Sequence, residues 1–480
     1  MPRAAFSSGW LPPRRGALSR RQALRQSAVG FGALALADLL ARANATSPIR
    51  VPPTHPLTPR AAHFAARAKR VIFLFMHGGP SHVDTFDYKP ALIRDSGKPL
   101  PFEKPRVQFA KTGDLRKSPW TFRPYGQCGA MVSDLFPNVG ALADDLCFIK
   151  SVHGTNEAHG GALLKLHTGS DSLIRPSMGS WISYGLGTEN QNLPSFITLN
   201  PTQGHGGVGN WSSAFLPAVH HGTSITGNPS KNGQPGIAYL GDGQDAARQR
   251  AQLDLLGDMN RDHLALAGPD AELEARIQSF ELAFKMQTEA PEIFELSGES
   301  EATRRLYGLD DPKTEKMGRQ CLLARRLSER GVRFVQVTHG YWDQHDQLAA
   351  EHGRLAGEVD RPIAGLLQDL KARGLLEDTL VWWGGEFGRT PTSQGTDGRD
   401  HHPHAFTMWL AGAGVKPGFS YGITDDYGFY LEDQKVHIHD LHATLLHLLG
   451  LDHEALTFRH AGRDFRLTDV HGDVARSILA

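Results

Sequence analysis

Six short apolar runs divide this chain, and several open at once into histidine, aspartate or glutamate. Val71-Ile-Phe-Leu-Phe-Met76 leads into His77-Gly-Gly-Pro-Ser-His82-Val-Asp84, and Val332-Arg-Phe-Val-Gln-Val337 leads into His339-Gly-Tyr-Trp-Asp343-Gln-His345. Leu380-Val-Trp-Trp383 leads into Gly-Gly-Glu386-Phe-Gly-Arg389, and a glycine-rich stretch then carries Asp400-His401-His402-Pro-His404. The other runs are Leu146 to Val152, Ser195 to Leu199 and Ala405 to Ala411. Several are apolar throughout rather than alternating, the pattern of strands buried on both faces in a parallel sheet. Helical patterns over Ala271 to Leu296, Lys313 to Arg330, Leu355 to Arg373 and Ile438 to Leu449 separate many of them, with apolar residues three and four apart. Gly331 and Gly374 read as helix stops. The alternation predicts a three-layer α/β domain with a largely parallel central sheet. Carboxyl ends of parallel strands share one edge, so side chains remote in sequence meet there.

The 51 basic and 51 acidic residues cancel, which removes any global electrostatic case for nucleic acid or an anionic membrane surface. Histidine stands out at 24 residues, many of them beside Gly, Asp or Asn in turn-like segments, which favours ligand roles over core filling. Only Cys128, Cys147 and Cys321 are present, so three thiols and no disulfide framework are expected.

The N-terminus reads as an address. Ser19-Arg-Arg-Gln-Ala-Leu-Arg25 precedes the weakly apolar Ser27 to Leu36, and Ala43-Asn-Ala45 offers a small-x-small cleavage site. This pattern resembles a twin-arginine signal, giving residues 1–45 as signal, 46–69 as a Pro- and Ala-rich spacer and 70–480 as the folded domain. The expected location is periplasmic or extracellular, and the apolar stretch is too short and too Gly- and Ala-rich for a stable membrane span. Residues 201–243, rich in Gly, Ser, Asn and His, read as a long loop insertion near the site.

Asp343-Gln-His345 and Asp400-His401 each put a carboxylate and an imidazole close enough to serve one metal or neighbouring metals. Oxygen and nitrogen donors without thiolate suit Zn, Mn, Fe or, with more carboxylates, Ca. A single such pair is more often a hydrogen-bonded surface pair; several at strand exits point to a site. The segment His153-Gly-Thr155-Asn156-Glu-Ala-His159 follows a strand and begins a helix, where unpaired N–H groups favour anions. There His153, Thr155 and Asn156 either place reactive groups beside the metals or simply cap the helix. His402 is expected in a solvated loop, the histidines of Val436-His-Ile-His439 in capping or packing, and Trp342, Trp382 and Trp383 in packing rather than in a cleft.

Taken in order, Phe75-Met-His-Gly-Gly-Pro-Ser-His-Val-Asp-Thr-Phe-Asp87, His153 to His159, Trp342-Asp-Gln-His345, Glu386-Phe-Gly-Arg-Thr-Pro391 and Gly398-Arg-Asp-His401 resemble the alkaline phosphatase and sulfatase superfamily. More closely, they are similar to the bacterial family catalogued as domain of unknown function 1501, over nearly the whole chain after the signal. The resemblance implies an alkaline phosphatase-like fold around a metal core. This chain departs from sulfatases at three places. His77 stands where paired aspartates end the first strand, His159 stands at the nucleophile position counted back from Thr168-Gly169, and Glu386-Phe387 replaces a late Asp-His.

The expectation from these residues is an exported hydrolase of phosphate or sulfate esters with one or two divalent ions and a metal-activated water. Candidate ligands are His77, Asp84, His159, Asp343, His345, Glu386 and His401. Arg389 is expected to neutralise the ester, with His153, Thr155 and His159 placed for proton transfer or attack. The partner is a small-molecule or glycan ester. The alternative is a non-catalytic protein of the same fold that holds metal or an acidic glycan.

Overall fold

The computed structural model describes residues 57–103, 111, 113–226, 246–267 and 271–480. The expected signal, the spacer up to residue 56 and residues 227–243 of the insertion lie outside the described residues. From Leu57 onward the spacer packs onto the domain: Leu57 and Ala68 are buried, and the backbone N–H groups of Arg67 and Ala68 donate to the Leu448 carbonyl at 2.9 and 2.8 Å.

The central sheet has nine strands: β1 Arg70–Met76, β2 Leu146–His153, β3 Phe196–Leu199, β4 Thr223–Ile225, β5 Phe334–His339, β6 Thr379–Gly384, β7 Phe406–Ala411, β8 Phe419–Tyr421 and β9 Val436–His437. Their order is β8-β2-β7-β6-β1-β5-β3-β4, with β9 also pairing β2. Every pairing is parallel except those of β7, which runs antiparallel to both β2 and β6. All six expected strands are present within two residues of their expected limits. The segment read as a loop insertion contributes β4, an edge strand of only three residues and too short to register as an apolar run.

The strands β1 and β6 are buried along their whole length, as their unbroken apolar sequences require. Because successive side chains on a strand face opposite ways, β1 splits its residues between two cores. Ile72, Leu74 and Met76 join one core with Leu322, Leu355 and Ile363, whereas Val71, Phe73 and Phe75 join another with Trp181, Leu441 and Leu445. The longer described helices are α1 His159–Thr168, α2 Met178–Leu186, α3 Ala246–Ala267, α4 Ala271–Phe294, α5 Glu315–Glu329, α6 Leu348–Ala372 and α7 Ile438–Leu448. α5 and α6 cover the first face, and α2 and α7 the second. This is the expected three-layer α/β arrangement. α2, α3 and the first two turns of α6 carry no expectation from periodicity, whereas the helix stops do. Gly331 and Gly374 adopt φ +85° and +70°, backbone that a glycine reaches without steric cost.

The tryptophans pack. Trp342, Trp382 and Trp383 are all buried, and Trp382 stacks on Phe73 with ring centroids 3.6 Å apart. Among the described helices none is long and apolar enough to cross a membrane. Cys147 and Cys321 are buried free thiols, as expected, but Cys128 is exposed.

Candidate metal centre

β1, β5 and β6 end at one edge of the sheet, and each delivers a functional residue there: His77 directly after β1, Asp343 four residues beyond β5, and Glu386 two beyond β6. The antiparallel β7 starts at that same edge. The polypeptide entering it, glycine-rich in sequence, is a hairpin, Gly388–Gln394 paired with Gly398–His402. The hairpin register pairs Arg389 with His401 and shifts between Arg399 and His401. Such an irregularity re-aims the side chain that follows it, and here that side chain is His401.

Two glycines allow this convergence. At Gly78, with φ +114°, a Cβ would lie 2.6 Å from the Trp342 backbone nitrogen, so only glycine lets the turn after β1 lie against the loop that holds Asp343. At Gly398 a Cβ would collide with the His345 backbone carbonyl, so the hairpin also needs a bare Cα there.

Asp343 is the hub of the cluster. Its Oδ1 lies 3.0 Å from His345 Nε2 and 3.0 Å from His401 Nε2, and those two nitrogens are 3.0 Å from each other. Its Oδ2 lies 3.1 Å from His159 Nε2. Behind His159, Nδ1 meets Glu386 Oε1 at 2.8 Å, and Glu386 accepts the Gly78 N–H at 2.9 and 3.1 Å. On the other side of His159, His205 stacks on it at 4.8 Å and lies 5.8 Å from the His77 ring. Among the described residues, two sets of donor atoms therefore come within ligand reach of one another: His159, Asp343 and His401, and His77, His159 and His205. His159 belongs to both.

The electrostatics suit a cation. Burial opposes charge on His159, yet the adjoining Asp343 and Glu386 carboxylates prevail and push it up to about 9. Burial would raise Asp343 as well, but the three imidazoles and Arg389 hold it well below the usual carboxylate range. Glu386 is held low against its own burial by His159 and His77. Burial lowers His77 and His401, keeping lone pairs available, while Asp343 raises His345.

A divalent ion fits these residues. Donors bound at about 2.0–2.2 Å from one ion stand about 2.8–3.1 Å apart in octahedral and about 3.3–3.6 Å apart in tetrahedral arrangement, and the 3.0 Å separations among Asp343, His345 and His401 lie within the former range. Buried nitrogens are normally hydrogen-bonded, yet His77 Nε2 is buried with no hydrogen-bond partner among the described residues.

Of the expected ligands, His77, His159, Asp343, His345 and His401 gather. Glu386 gathers too, but behind His159, where it orients the ring as carboxylates do for metal-binding histidines. Asp84 does not join them. Its buried carboxylate is taken by Arg399, at 2.6 and 3.1 Å, and by the Ser81 hydroxyl. Arg389 is fully buried and is not presented to a ligand. It donates to the carbonyls of Gly78, Gly79 and Trp342 and to Asp343 Oδ1 at 2.7 Å, so it ties the three loops together. His153 packs edge-on against His437, and the exposed Thr155 donates to Asp171 at 3.2 Å on the rim of a separate cavity shared with Lys165 and His437. Neither cap supports α1 with a side chain, although Asn156 accepts the Ala158 N–H at 2.9 Å.

His205 was missed. It follows β3 by six residues, so the rule that an apolar run opens into a ligand would have found it had the segment not been set aside as a loop. His402 is buried rather than solvated, with Nε2 donating to the Phe429 carbonyl. His437 caps α7 as expected: its ring accepts the His439 N–H at 3.2 Å, and Asp440 accepts the His437 N–H in return.

Among solved structures, the chain is similar to a protein in the alkaline phosphatase superfamily from Vibrio parahaemolyticus, at 11% identity and TM-score 0.37, covering 85% of this chain and 72% of that one. It is also similar to the lipoteichoic acid synthase LtaP from Listeria monocytogenes, at 9% identity and TM-score 0.36 over 86% and 78% of the two chains. The PsFucS1 sulfatase from Pseudoalteromonas sp. matches at 14% identity and TM-score 0.33 over 80% and 68%. Likeness at this level leaves reaction and substrate to the side chains of this protein. No curated protein matches the chain. A family model matches residues 68–479, and the chain belongs to that family, described as Protein of unknown function (DUF1501).

Proposed function

We propose that this protein is an exported, metal-dependent hydrolase of phosphate or sulfate esters. The observation that carries the reading is the Asp343 hub, which sets the nitrogens of His345 and His401 at 3.0 Å from one carboxylate oxygen while its other oxygen faces His159. His159, Asp343 and His401, with His345 beside them, would hold one ion; His77, His159 and His205 form the second set. When bound, a divalent ion supplies Lewis-acid polarisation of the ester and lowers the pKa of water near it.

The remaining contributions come from the protein. Glu386 fixes the His159 ring, so that Nδ1 faces the carboxylate and Nε2 faces Asp343. Arg389 offsets part of the negative charge on Asp343 and sets the positions of the turn at Gly78 and the loop at Trp342. No serine, threonine or cysteine hydroxyl or thiol is among these clustered side chains, and His159 stands at the helix start, so water is favoured over a side-chain nucleophile.

The test is elemental analysis of the purified protein, followed by a panel of phosphate and sulfate esters assayed with the metal found. Bound metal with ester turnover supports the reading. A folded protein that carries metal and cleaves no ester sinks it. That result would support the second reading, a metal-holding or acidic-glycan-binding protein, which the burial of Arg389 away from any ester favours.

A further inference from the structure

A cavity of about 720 Å³ opens beside this centre, with His77 and His205 on its wall. Lys313, Lys316, Arg354 and Tyr341 also line it. We propose that this cavity receives the remainder of the substrate, and that this remainder is an oligosaccharide carrying at least one further anionic group. The inference rests on the preceding reading only for where the reacting ester lies.

Charge is the first argument. Glu358 is the single acidic residue of the lining, and it is engaged by His339 at 3.0 Å and by Arg354. Arg354 is further neutralised by Glu351 at 2.8 Å. Lys313 and Lys316 are exposed and, among the described residues, neither has an ion-pair partner, which leaves the cavity with two uncompensated positive charges. They lie at the N-terminal end of α5, where a cation works against the helix dipole. An anion bound there is favoured both by the lysines and by the helix end. The Lys313 ammonium lies against α6 at Gly357, where a side chain would collide with it.

Tyr341 is the second argument. It is 80% exposed and has φ +76°, a left-handed conformation that non-glycine residues rarely adopt. Holding a tyrosine there strains the backbone, and such strain concentrates at ligand sites. The neighbouring Trp342 is buried, and its N–H is tied to the His77 carbonyl at 3.0 Å, which keeps the loop in this form. The result is a bare aromatic face at the mouth of a cationic cavity. A sugar ring presents an apolar C–H face that packs on such a ring, while its charged substituents reach the lysines.

The test uses the full chain with its metal and a heparin-derived tetrasaccharide, with the fully desulfated tetrasaccharide as control, in titration calorimetry. The sulfated probe is expected to bind at least tenfold more tightly than the control. Lys313→Gln with Lys316→Gln should remove that preference, and Tyr341→Ala should weaken both sugars at least fivefold, with metal content and melting temperature as in the wild type. Equal binding of the two sugars by the wild type, or unchanged binding by the variants, would overturn the proposal. Selective sugar binding without ester turnover would uphold it while the hydrolase reading fails. Ester turnover without sugar selectivity would do the reverse.

Discussion

His159 Nε2 lies 3.1 Å from Asp343 Oδ2, and this approach joins the start of α1 to the loop after β5 across 184 positions of sequence. Glu386 presses on the far nitrogen of the same ring at 2.8 Å. An imidazole clasped by two carboxylates stays charged unless another cation takes the proton's role, which is the physical reason to expect metal here.

Asp343→Asn keeps the shape of the hub and removes its charge. Metal affinity and activity are expected to fall by more than the roughly 10–100-fold typical of changes to residues that merely support a ligand. His401→Ala should act in the same direction, whereas Glu386→Gln should fall inside that range. Metal-to-protein ratios after dialysis against a weak chelator give the ranking. Equal loss from Glu386→Gln and Asp343→Asn would contradict the orienting role given to Glu386.

The buried Asp84–Arg399 pair is structural, and its two partners are both fully buried. Asp84→Ala leaves an uncompensated guanidinium and is expected to cost about 3–5 kcal/mol of stability, whereas replacing both partners by apolar residues should recover much of it. Urea denaturation measures the cost. Metal content of the variant that remains folded should match the wild type, and a specific loss of metal would restore Asp84 as a ligand.

Stability should fall in mild acid through buried histidines that are not members of the candidate donor cluster. Burial holds His442 down to about 3 and His352 and His220 down to about 3 as well. Unfolded, each would titrate near its ordinary value, so below that value the unfolded chain binds protons that the folded chain refuses. The stabilisation is complete above about pH 6.5 and shrinks as pH falls toward the folded values, by on the order of 2 kcal/mol per histidine at about pH 5. In the folded state His442 Nε2 donates to the Leu166 carbonyl at 2.8 Å. His442→Gln keeps a donor and should flatten the slope of unfolding free energy against pH by about one proton. An unchanged slope would count against a neutral buried His442.

The three thiols should differ in reactivity. Cys128 is exposed, whereas burial raises Cys147 up to about 12 and raises Cys321 further. A thiol-specific reagent should modify one cysteine in the native protein and three after denaturation. Modification of two or more in the native state would show that the sheet and α5 open more readily than their burial implies.

The sequence alone determined the architecture and the strand-exit residues. Unbroken apolar runs such as Val71 to Met76 have only one stable place, a sheet covered on both faces, and residues following such runs must emerge at its edge. His77, Asp343 and Glu386 were legible for that reason. Tertiary structure alone decided what each of them touches. Arg389 and Asp84 look like reactive groups in one dimension; packing buries Arg389 among backbone carbonyls and pairs Asp84 with Arg399, 315 positions away. The hairpin that aims His401 carries no periodic signal, because short ladders and glycine-rich turns are fixed by what they lie against. Periodicity records which face of an element is buried, whereas a ligand set depends on distances between elements, and those exist only once the sheet has brought its strand ends together.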